Sequence, residues 1–324
     1  MKKLIFLTTC FCICASFKSF GQFENIIVPS DLKQQTIITE PLTLRKGFVR
    51  AGLAANFIIT DRLFDETGKK EYVLGTNVNG KLWGYLPGIQ YGITDRLQAF
   101  VRIPYFDAKY LVSVKIISPL TNFDTTISYK NIGRGFGDLE TGFSYQIIRE
   151  NKYSPSVVLG ISASWPTGRK NPENIKSDLE FDYPTGDGHV VLSSDLTLKK
   201  IKYPYSFMAD LHCIYNFKGK KIMYPYEDAI AFKRGNSIGV AAGFGFHLND
   251  WIVLLNDLMF WNFSGNTDYY SPIEHTPDGW TFDYRPAVYF QVRKFRFIEL
   301  IQIPLFGRNE AADPTYSFNL QYVF

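Results

Sequence analysis

The chain has 324 residues, of which 46% are hydrophobic and 16% aromatic, and its mean hydropathy is near zero. A hydropathy this low excludes a membrane protein built from several apolar helices. It permits a membrane β-barrel, whose strands are only half apolar. The net charge of +4 falls to +1 without residues 1–21, and a charge so balanced gives no reason to expect a nucleic-acid partner.

Residues 1–21 have the pattern of a cleaved export signal. Lys2 and Lys3 form a basic start, and the apolar stretch Leu4–Phe17 follows. Small residues then precede Gln22, where we place the cleavage. The apolar stretch is too short to span the hydrocarbon core of a bilayer as a helix. We therefore predict a signal peptide rather than a membrane anchor.

The mature chain would have no internal disulfide, because three of the four cysteines lie in the signal and only Cys213 remains. An exported protein without disulfides needs another source of rigidity, and a closed hydrogen-bonded barrel supplies one.

Residues 22–46 do not alternate cleanly and contain two prolines. We predict a periplasmic N-terminal arm over 22–46 and an outer-membrane barrel over 47–324.

Alternation of apolar and polar residues with period two dominates the chain after residue 46, and it indicates half-buried strands. In residues 137–147 one face carries Leu139, Thr141, Phe143, Tyr145 and Ile147, and the other carries mainly polar or small residues. The pattern predicts twelve strands, near 47–59, 81–93, 97–105, 136–148, 156–165, 189–199, 205–217, 237–246, 251–263, 281–292, 295–305 and 315–324. In 251–263 and 295–305 both faces are apolar, so the inward side stays open there.

The connections between these strands alternate between short and long. Long ones fall near 60–80, 106–135, 166–188, 218–236, 264–280 and 306–314, and both chain ends lie on the short-turn side. Such sorting is typical of an outer-membrane barrel with an even number of strands, long extracellular loops and short periplasmic turns. We therefore predict an all-β fold: a transmembrane antiparallel up-and-down β-barrel of about twelve strands.

The two faces of the strands support a barrel over a soluble sandwich. The apolar face carries aromatic side chains near strand ends, as in the interfacial girdles of such barrels: Trp83, Tyr85, Tyr91, Tyr145, Trp165, Tyr215, Tyr284 and Tyr322. The opposite face is too polar for a dry core. We predict that the lumen is lined by Arg50, Arg102, Asp138, Glu140, Asp195, Asp210, His212, Asp283 and Arg285.

Ion pairs across this lumen are expected from the spacing. Arg102 could pair with Asp138 or Glu140 on the next strand, whereas Asp283 with Arg285 form a pair two residues apart. A second such pair joins Asp210 to His212. Pairs of this kind brace a narrow barrel as readily as they select solutes, and both roles stay open.

Two prolines and the C-terminus add further signals. Strand pairs near 86–105 and 285–305 each reach a proline at their outer end, Pro104 and Pro304, where we expect a bulge or a strand end. The last strand carries Leu320, Tyr322 and Phe324, which resemble the signal by which the barrel assembly machinery recognises its substrates. The expected partners are therefore that machinery and outer-membrane lipid.

Three motifs indicate a family. They are Gly135-Phe136-Gly137-Asp138-Leu139, Pro166-Thr167-Gly168 and a second copy, Pro184-Thr185-Gly186. Together they resemble the outer-membrane barrels labelled "MetA-pathway of phenol degradation", over most of residues 80–324. Arg169 departs from the acidic residue that often follows the motif in that family, while Asp187 after the second copy keeps it. The resemblance implies a channel-like protein of the Gram-negative outer membrane, but no particular substrate.

The sequence offers little support for catalysis, a cofactor or a metal. The four histidines are isolated from one another, and one histidine beside one carboxylate is too few for a metal site. We expect no enzyme, no catalytic residues and no cofactor. The leading hypothesis is a passive channel for small solutes, with aromatic or amphiphilic solutes as the narrower expectation. The alternative is a non-conducting barrel that binds a ligand or partner through its loops, such as 264–280 with Tyr269, Tyr270, His275 and Trp280.

Overall fold

The computed structural model describes residues 43–72, 78–117, 124–169, 180–182, 184–221, 230–249, 251–265, 267–268 and 278–324. Within these residues, twelve strands form the barrel wall. They are β1 (Val49–Thr60), β2 (Val78–Gly92), β3 (Leu97–Arg102), β4 (Leu139–Ile148), β5 (Ser156–Trp165), β6 (Val191–Lys202), β7 (Tyr205–Asn216), β8 (Ser237–His247), β9 (Ile252–Phe263), β10 (Gly279–Val292), β11 (Phe295–Arg308) and β12 (Thr315–Val323).

The wall closes on itself. Each strand pairs antiparallel with the next one along the chain, and β12 pairs with β1 from Arg50↔Val323 to Ile58↔Thr315. Closure leaves no free strand edge in the wall. The fold is therefore the predicted transmembrane up-and-down barrel of twelve strands. Among the described residues, no helix is long and apolar enough to cross a membrane.

All twelve predicted strands agree with the observed bounds to within three residues. The two proline predictions are also confirmed. The β3 strand ends at Arg102, just before Pro104, and the pairing of β10 with β11 shifts register beside Pro304. The reason is physical, because proline has no N–H to donate to a ladder and each site must interrupt the pairing.

The long connections contain more strand than the sequence predicted. The region expected as a loop at 106–135 holds an antiparallel pair, Tyr105–Ile117 and Asp124–Phe136, which carries β3 and β4 beyond the wall. Arg62–Phe64, Lys70–Tyr72 and Glu310–Ala311 form a small sheet, which we call the outer cap. A second small sheet joins Lys218–Lys221, Ile230–Lys233 and Thr267–Asp268, and Glu180–Asp182 pairs parallel to residues 130–132. Short segments of this kind have weak periodicity, so alternation alone does not reveal them.

Burial alternates along the wall, with exposed side chains outside and buried ones inside. Six of the predicted girdle aromatics are exposed, and Tyr284 and Tyr322 are half-buried. The alternation also orients the two stretches that the sequence left open. Val253 and Leu255 of β9 and Ile298 and Leu300 of β11 are buried and face the interior. Their neighbours along each strand face outward.

Candidate functional site

The interior of the barrel carries a contiguous apolar surface on three adjacent strands. Two rows run across β9, β10 and β11 in register, each strand contributing one side chain to each row. We call this set the apolar block, and it consists of Val253, Tyr289, Ile298, Leu255, Ala287 and Leu300. All six are at most 6% exposed and belong to one hydrophobic cluster, which Met208, Ile58 and Leu82 extend. The apolar block lies in the half of the wall next to the short turns.

The other side of the wall has a block of the same extent and opposite character. On β4, β5 and β6 two rows of register partners carry small or polar side chains. We call this set the small-polar block, and it consists of Gly142, Ser162, Ser193, Ser144, Gly160 and Asp195. Gly142 has no room for a side chain, because the Phe100 ring would lie 2.5 Å from its Cβ. The interior is therefore two-sided, apolar on one wall and small and polar on the other.

A buried ion pair lies just beyond the apolar block, on the side of the long loops. Arg285 donates two hydrogen bonds to Asp257 on the neighbouring strand, from Nε to Oδ1 at 2.7 Å and from Nη2 to Oδ2 at 2.8 Å. The guanidinium of Arg285 was expected to pair with Asp283, but it forms a bidentate ion pair with Asp257. Asp283 instead accepts hydrogen bonds from Gln302 at 2.8 Å and Thr281 at 3.3 Å. Cross-strand neighbours are nearer than residues two apart on one strand, which explains the difference.

The small-polar block has its own charged neighbours. Arg102 of β3 lies 3.7 Å from Glu140 of β4, which confirms one of its two expected partners. His212 of β7 is hydrogen-bonded through Nδ1 to Asp195 of β6, its register partner, rather than to Asp210. Asp210 is hydrogen-bonded to Thr197, again directly across the ladder.

The short-turn end of the barrel holds the start of the described chain. Leu44 is fully buried against Val323 and Phe48, and its backbone N–H donates to Gln98 Oε1 at 2.9 Å. Thr43 lies beside it, and its hydroxyl donates to Gln146 Oε1 at 3.3 Å. Both glutamines are buried side chains of the wall, so residues 43 and 44 lie inside this mouth. The predicted signal 1–21, and residues 22–42 of the arm, lie outside the described residues.

At the long-loop end, the three family-like motifs come together in one clasp. The Asp138 carboxylate accepts backbone N–H bonds from Gly168 at 2.9 Å and from Asp187 at 2.8 Å. The two Pro-Thr-Gly copies touch at their glycines, since a Cβ on Gly168 would lie 2.8 Å from Gly186 Cα. Asp138 was expected to line the lumen, and in the structure it lies at the rim, where it holds together the two ends of the 166–188 connection between β5 and β6. Charged hydrogen bonds to backbone amides are strong, which suits this role.

The outer cap covers the same end on the side of β1, β11 and β12. Asp313 accepts hydrogen bonds from the backbone N–H groups of Asp61 and Arg62 and from the Arg62 side chain, all within 2.7 Å. Phe64 is buried against Gly307 of β11. Desolvation raises the pKa of Glu310 in this cap to about 7, with Asp283 adding to the shift. Elsewhere at this end, burial lowers the pKa of His189.

The predicted lumen residues occupy inward positions of the wall, with Asp138 at its rim. Arg50, Arg102, Asp210, His212, Asp283 and Arg285 are buried, whereas Glu140 and Asp195 are half-buried. Sequence reasoning missed Asp257 and most of the apolar block. The available signal was the double apolar pattern of 251–263 and 295–305, which indicates a strand that is apolar inside as well as outside.

Some predicted features lie where the structure gives no description. Tyr269, Tyr270 and His275 of the candidate binding loop fall outside the described residues, and Trp280 belongs to β10. Within the described part of the chain, no group of three or more His, Cys, Asp or Glu side chains is arranged to hold a metal ion.

Comparison with known proteins finds likeness in structure only. No family model and no curated protein matches the chain. Among solved structures it is similar to an outer membrane channel from Pseudomonas putida F1, with a TM-score of 0.64 and 14% sequence identity, over 92% of this chain and 100% of that one. A Pseudomonas aeruginosa FadL homologue matches with a TM-score of 0.43 and 9% identity, over 92% and 95%. The first likeness shows that the chain has the fold of an outer-membrane barrel, in agreement with the family resemblance of its motifs.

Proposed function

We propose that this chain is an outer-membrane channel for the passive passage of small amphiphilic solutes, aromatic ones included. The observation that carries the proposal is the two-sided interior, with the apolar block on one wall and the small-polar block on another. The inside of a water-filled porin is polar. Six large or apolar buried side chains in two rows are therefore a surface for a solute that is itself partly apolar.

The size of the apolar block suits transient binding. A small solute that displaces neighbouring side chains and contacts about 60 Å² of it would gain at most about 1.5 kcal/mol, at about 25 cal/mol per Å². Such a gain raises occupancy about tenfold and still allows fast release, which passive conduction requires. The small-polar block would contact the polar end of the same solute through its serine hydroxyls.

The location and processing of the chain are part of the same proposal. The fold shared with an outer membrane channel supports a place in the outer membrane. We propose export by the signal 1–21, a periplasmic arm at 22–46, a barrel at 47–324, and recognition of Leu320, Tyr322 and Phe324 by the assembly machinery. We also propose that the chain is not an enzyme. In the site, His212 is bonded to a carboxylate rather than to a serine.

Liposome swelling with the reconstituted mature chain tests the function. We expect faster uptake of small aromatic alcohols than of sugars of equal size. Leu255→Asp should slow the uptake of the aromatic alcohols about tenfold, because it places a charge in the apolar block. Ser162→Asp, which adds the same charge to the small-polar block, should change it by less than about twofold. Equal effects of the two variants, or no swelling with any solute, would contradict the proposal.

The loop-binding alternative is separated by a deletion. Removing 266–277 should leave swelling unchanged if the lumen is the functional site. Loss of ligand or partner binding with intact swelling would favour a barrel that acts through its loops.

A further inference from the structure

A charged side chain lies on the lipid-facing side of the wall. Glu299 of β11 is exposed, while Ile298 and Leu300 on either side of it are buried in the interior. Its register partners are Val288 on β10 and Phe318 on β12, both exposed and apolar. Among the described residues, Glu299 has no hydrogen-bond or ion-pair partner.

The depth of Glu299 follows from the aromatic rims of its own strand. Phe295 begins β11 at the short-turn end, and Phe306 stacks on Phe282 at the long-loop end. A strand rises about 3.3 Å per residue and tilts about 45° in such a barrel. Glu299 therefore lies about 9 Å above one rim and about 16 Å below the other. An ionisable side chain at this depth is costly and indicates a functional contact.

A second polar group lies on the same outward surface, two strands away. The Tyr284 hydroxyl of β10 donates a hydrogen bond to Asn256 Oδ1 of β9 at 2.6 Å. This bond uses the amide oxygen of Asn256, and its Nδ2 has no acceptor among the described residues. The outer face of β9–β11 thus carries an acceptor without a donor and a donor without an acceptor.

The direction of strand tilt can be read from the pairing register. One line of partners begins at Phe295, the short-turn end of β11, passes across β12, β1, β2, β3, β4 and β5, and reaches Leu192 near the long-loop end of β6. The line therefore rises toward the long loops in that direction. In the other direction, from β11 through β10 to β9, the line falls by about 3.4 Å for each strand crossed.

Glu299 and Asn256 consequently lie at nearly the same height. The line from Glu299 passes through Val288 to Leu254, about 7 Å lower. Asn256 is two residues farther along β9 toward the long loops, which restores about 5 Å. The two polar groups are then separated by about 11 Å in the plane of the membrane, with Val288 and Pro286 of β10 between them.

We propose that the outer face of β9–β11 is the interface of a homodimer. Two copies inserted in the same direction can be related only by a two-fold axis along the membrane normal. An axis in front of β10 places β11 of each copy against β9 of the other. Glu299 then accepts a hydrogen bond from Asn256 Nδ2 of the second copy, and symmetry repeats the bond. A second copy fits because it supplies the missing donor at the right height and distance.

Cysteine cross-linking tests the interface in the full-length mature chain. In a Cys213→Ser background, Val288→Cys lies beside the proposed axis and should form a cross-linked dimer in lipid vesicles. Ile161→Cys, 49% exposed on β5, is the matched control on the far side of the wall. Equal cross-linking of the two variants at high lipid dilution would overturn the proposal.

Substitution of Glu299 tests the hydrogen bond itself. Glu299→Leu should weaken dimerisation about tenfold through loss of the two symmetric bonds, and Glu299→Gln, which keeps an acceptor oxygen, should restore most of it. Dimerisation is measured by energy transfer between labelled copies as lipid is added. Folding is checked by the heat-dependent mobility of the barrel on gels. A folded Glu299→Leu chain that dimerises as the native chain does, or a native chain that is monomeric throughout and only gains stability on substitution, would overturn the proposal.

Discussion

The apolar block and the small-polar block have the same extent, three strands and two rows, but they are held by different forces. In the apolar block, Tyr289 and Leu300 are almost completely buried among other apolar side chains. In the small-polar block, glycines and serines allow close approach of their neighbours, and the Phe100 ring packs over Gly142. The first block is held by contacts between large apolar side chains, and the second by close contacts of small side chains.

The outer faces of the same strands do not show this difference. Phe143 on β4 and Phe290 on β10 are both exposed toward lipid. The requirement of the bilayer is the same all round the barrel, so most outward residues are apolar, and Glu299 and Asn256 are exceptions on β11 and β9. The inward residues do not face lipid, so their polarity can differ from one part of the lumen to another according to function.

The largest expected effect comes from the ion pairs that adjoin the two blocks. Asp257→Ala should lower the free energy of unfolding by about 3 kcal/mol, because it leaves the buried Arg285 guanidinium without the carboxylate that it contacts through two hydrogen bonds. Glu140→Ala, beside the small-polar block, should cost less than about 1 kcal/mol, since that pair is longer, at 3.7 Å, and the Glu140 side chain is less deeply buried than Asp257. Urea unfolding in vesicles measures both. Equal losses of unfolding free energy in the two variants would mean that both ion pairs are equally shielded from water.

A direct comparison of the two blocks comes from truncation. Leu300→Ala should lower the free energy of unfolding by about 2 kcal/mol, through lost burial and the cavity it leaves. Ser162→Ala should change it by less than about 1 kcal/mol, because only one hydroxyl group is removed and little packing is lost. The same urea titration reports both values. A large loss for Ser162→Ala would show that the small-polar block is packed too.

A third test concerns the mouth that both blocks lead to. Gly92 of β2 has no room for a side chain, because a Cβ would lie 1.9 Å from the Arg45 carbonyl oxygen. Gly92→Ala should push residues 43–45 away from Gln98 and raise the conductance of single channels about twofold or more. Ile89→Ala on the same strand is the control, since the Ile89 side chain is exposed on the lipid-facing side of the wall. An unchanged conductance in Gly92→Ala would show that the mouth does not limit flow.

The sequence predicted the wall well, because a closed barrel imposes period two on every strand. Strand β5 was predicted with its observed bounds, and β9 to within one residue. The pattern could not orient β9 and β11, since lipid outside and the apolar block inside both select apolar residues. Ion-pair partners were harder still. Arg285 pairs with Asp257 across the ladder, and only the register between strands decides which residues face each other.

The clasp shows another limit of the sequence. The motif around Asp138 and the two Pro-Thr-Gly copies were recognised as family-like, but their joint structure depends on a contact between Gly168 and Gly186, at opposite ends of one long connection. No periodicity predicts such a contact. Asp138 was therefore interpreted as a lumen residue, when its oxygens bind loop amides.

The smallest expected effect is a pH dependence of the outer cap, which lies on the side of the apolar block. The pKa of Glu310 is raised to about 7 by burial, so the folded cap keeps the proton at pH values where the unfolded chain loses it. Its contribution to stability is therefore fully present below about pH 4.5 and is lost as pH rises to about 7.

Hydrogen exchange at Leu63 and Phe64, corrected for the intrinsic pH dependence, should show about 1 kcal/mol more protection at pH 5 than at pH 8, a value discounted for partial exposure. Glu310→Gln should remove the difference, with the Gly168 amide of the clasp as an internal reference. A difference that persists in Glu310→Gln would assign the pH dependence to another group of the cap, such as Asp61, whose pKa is also raised by burial.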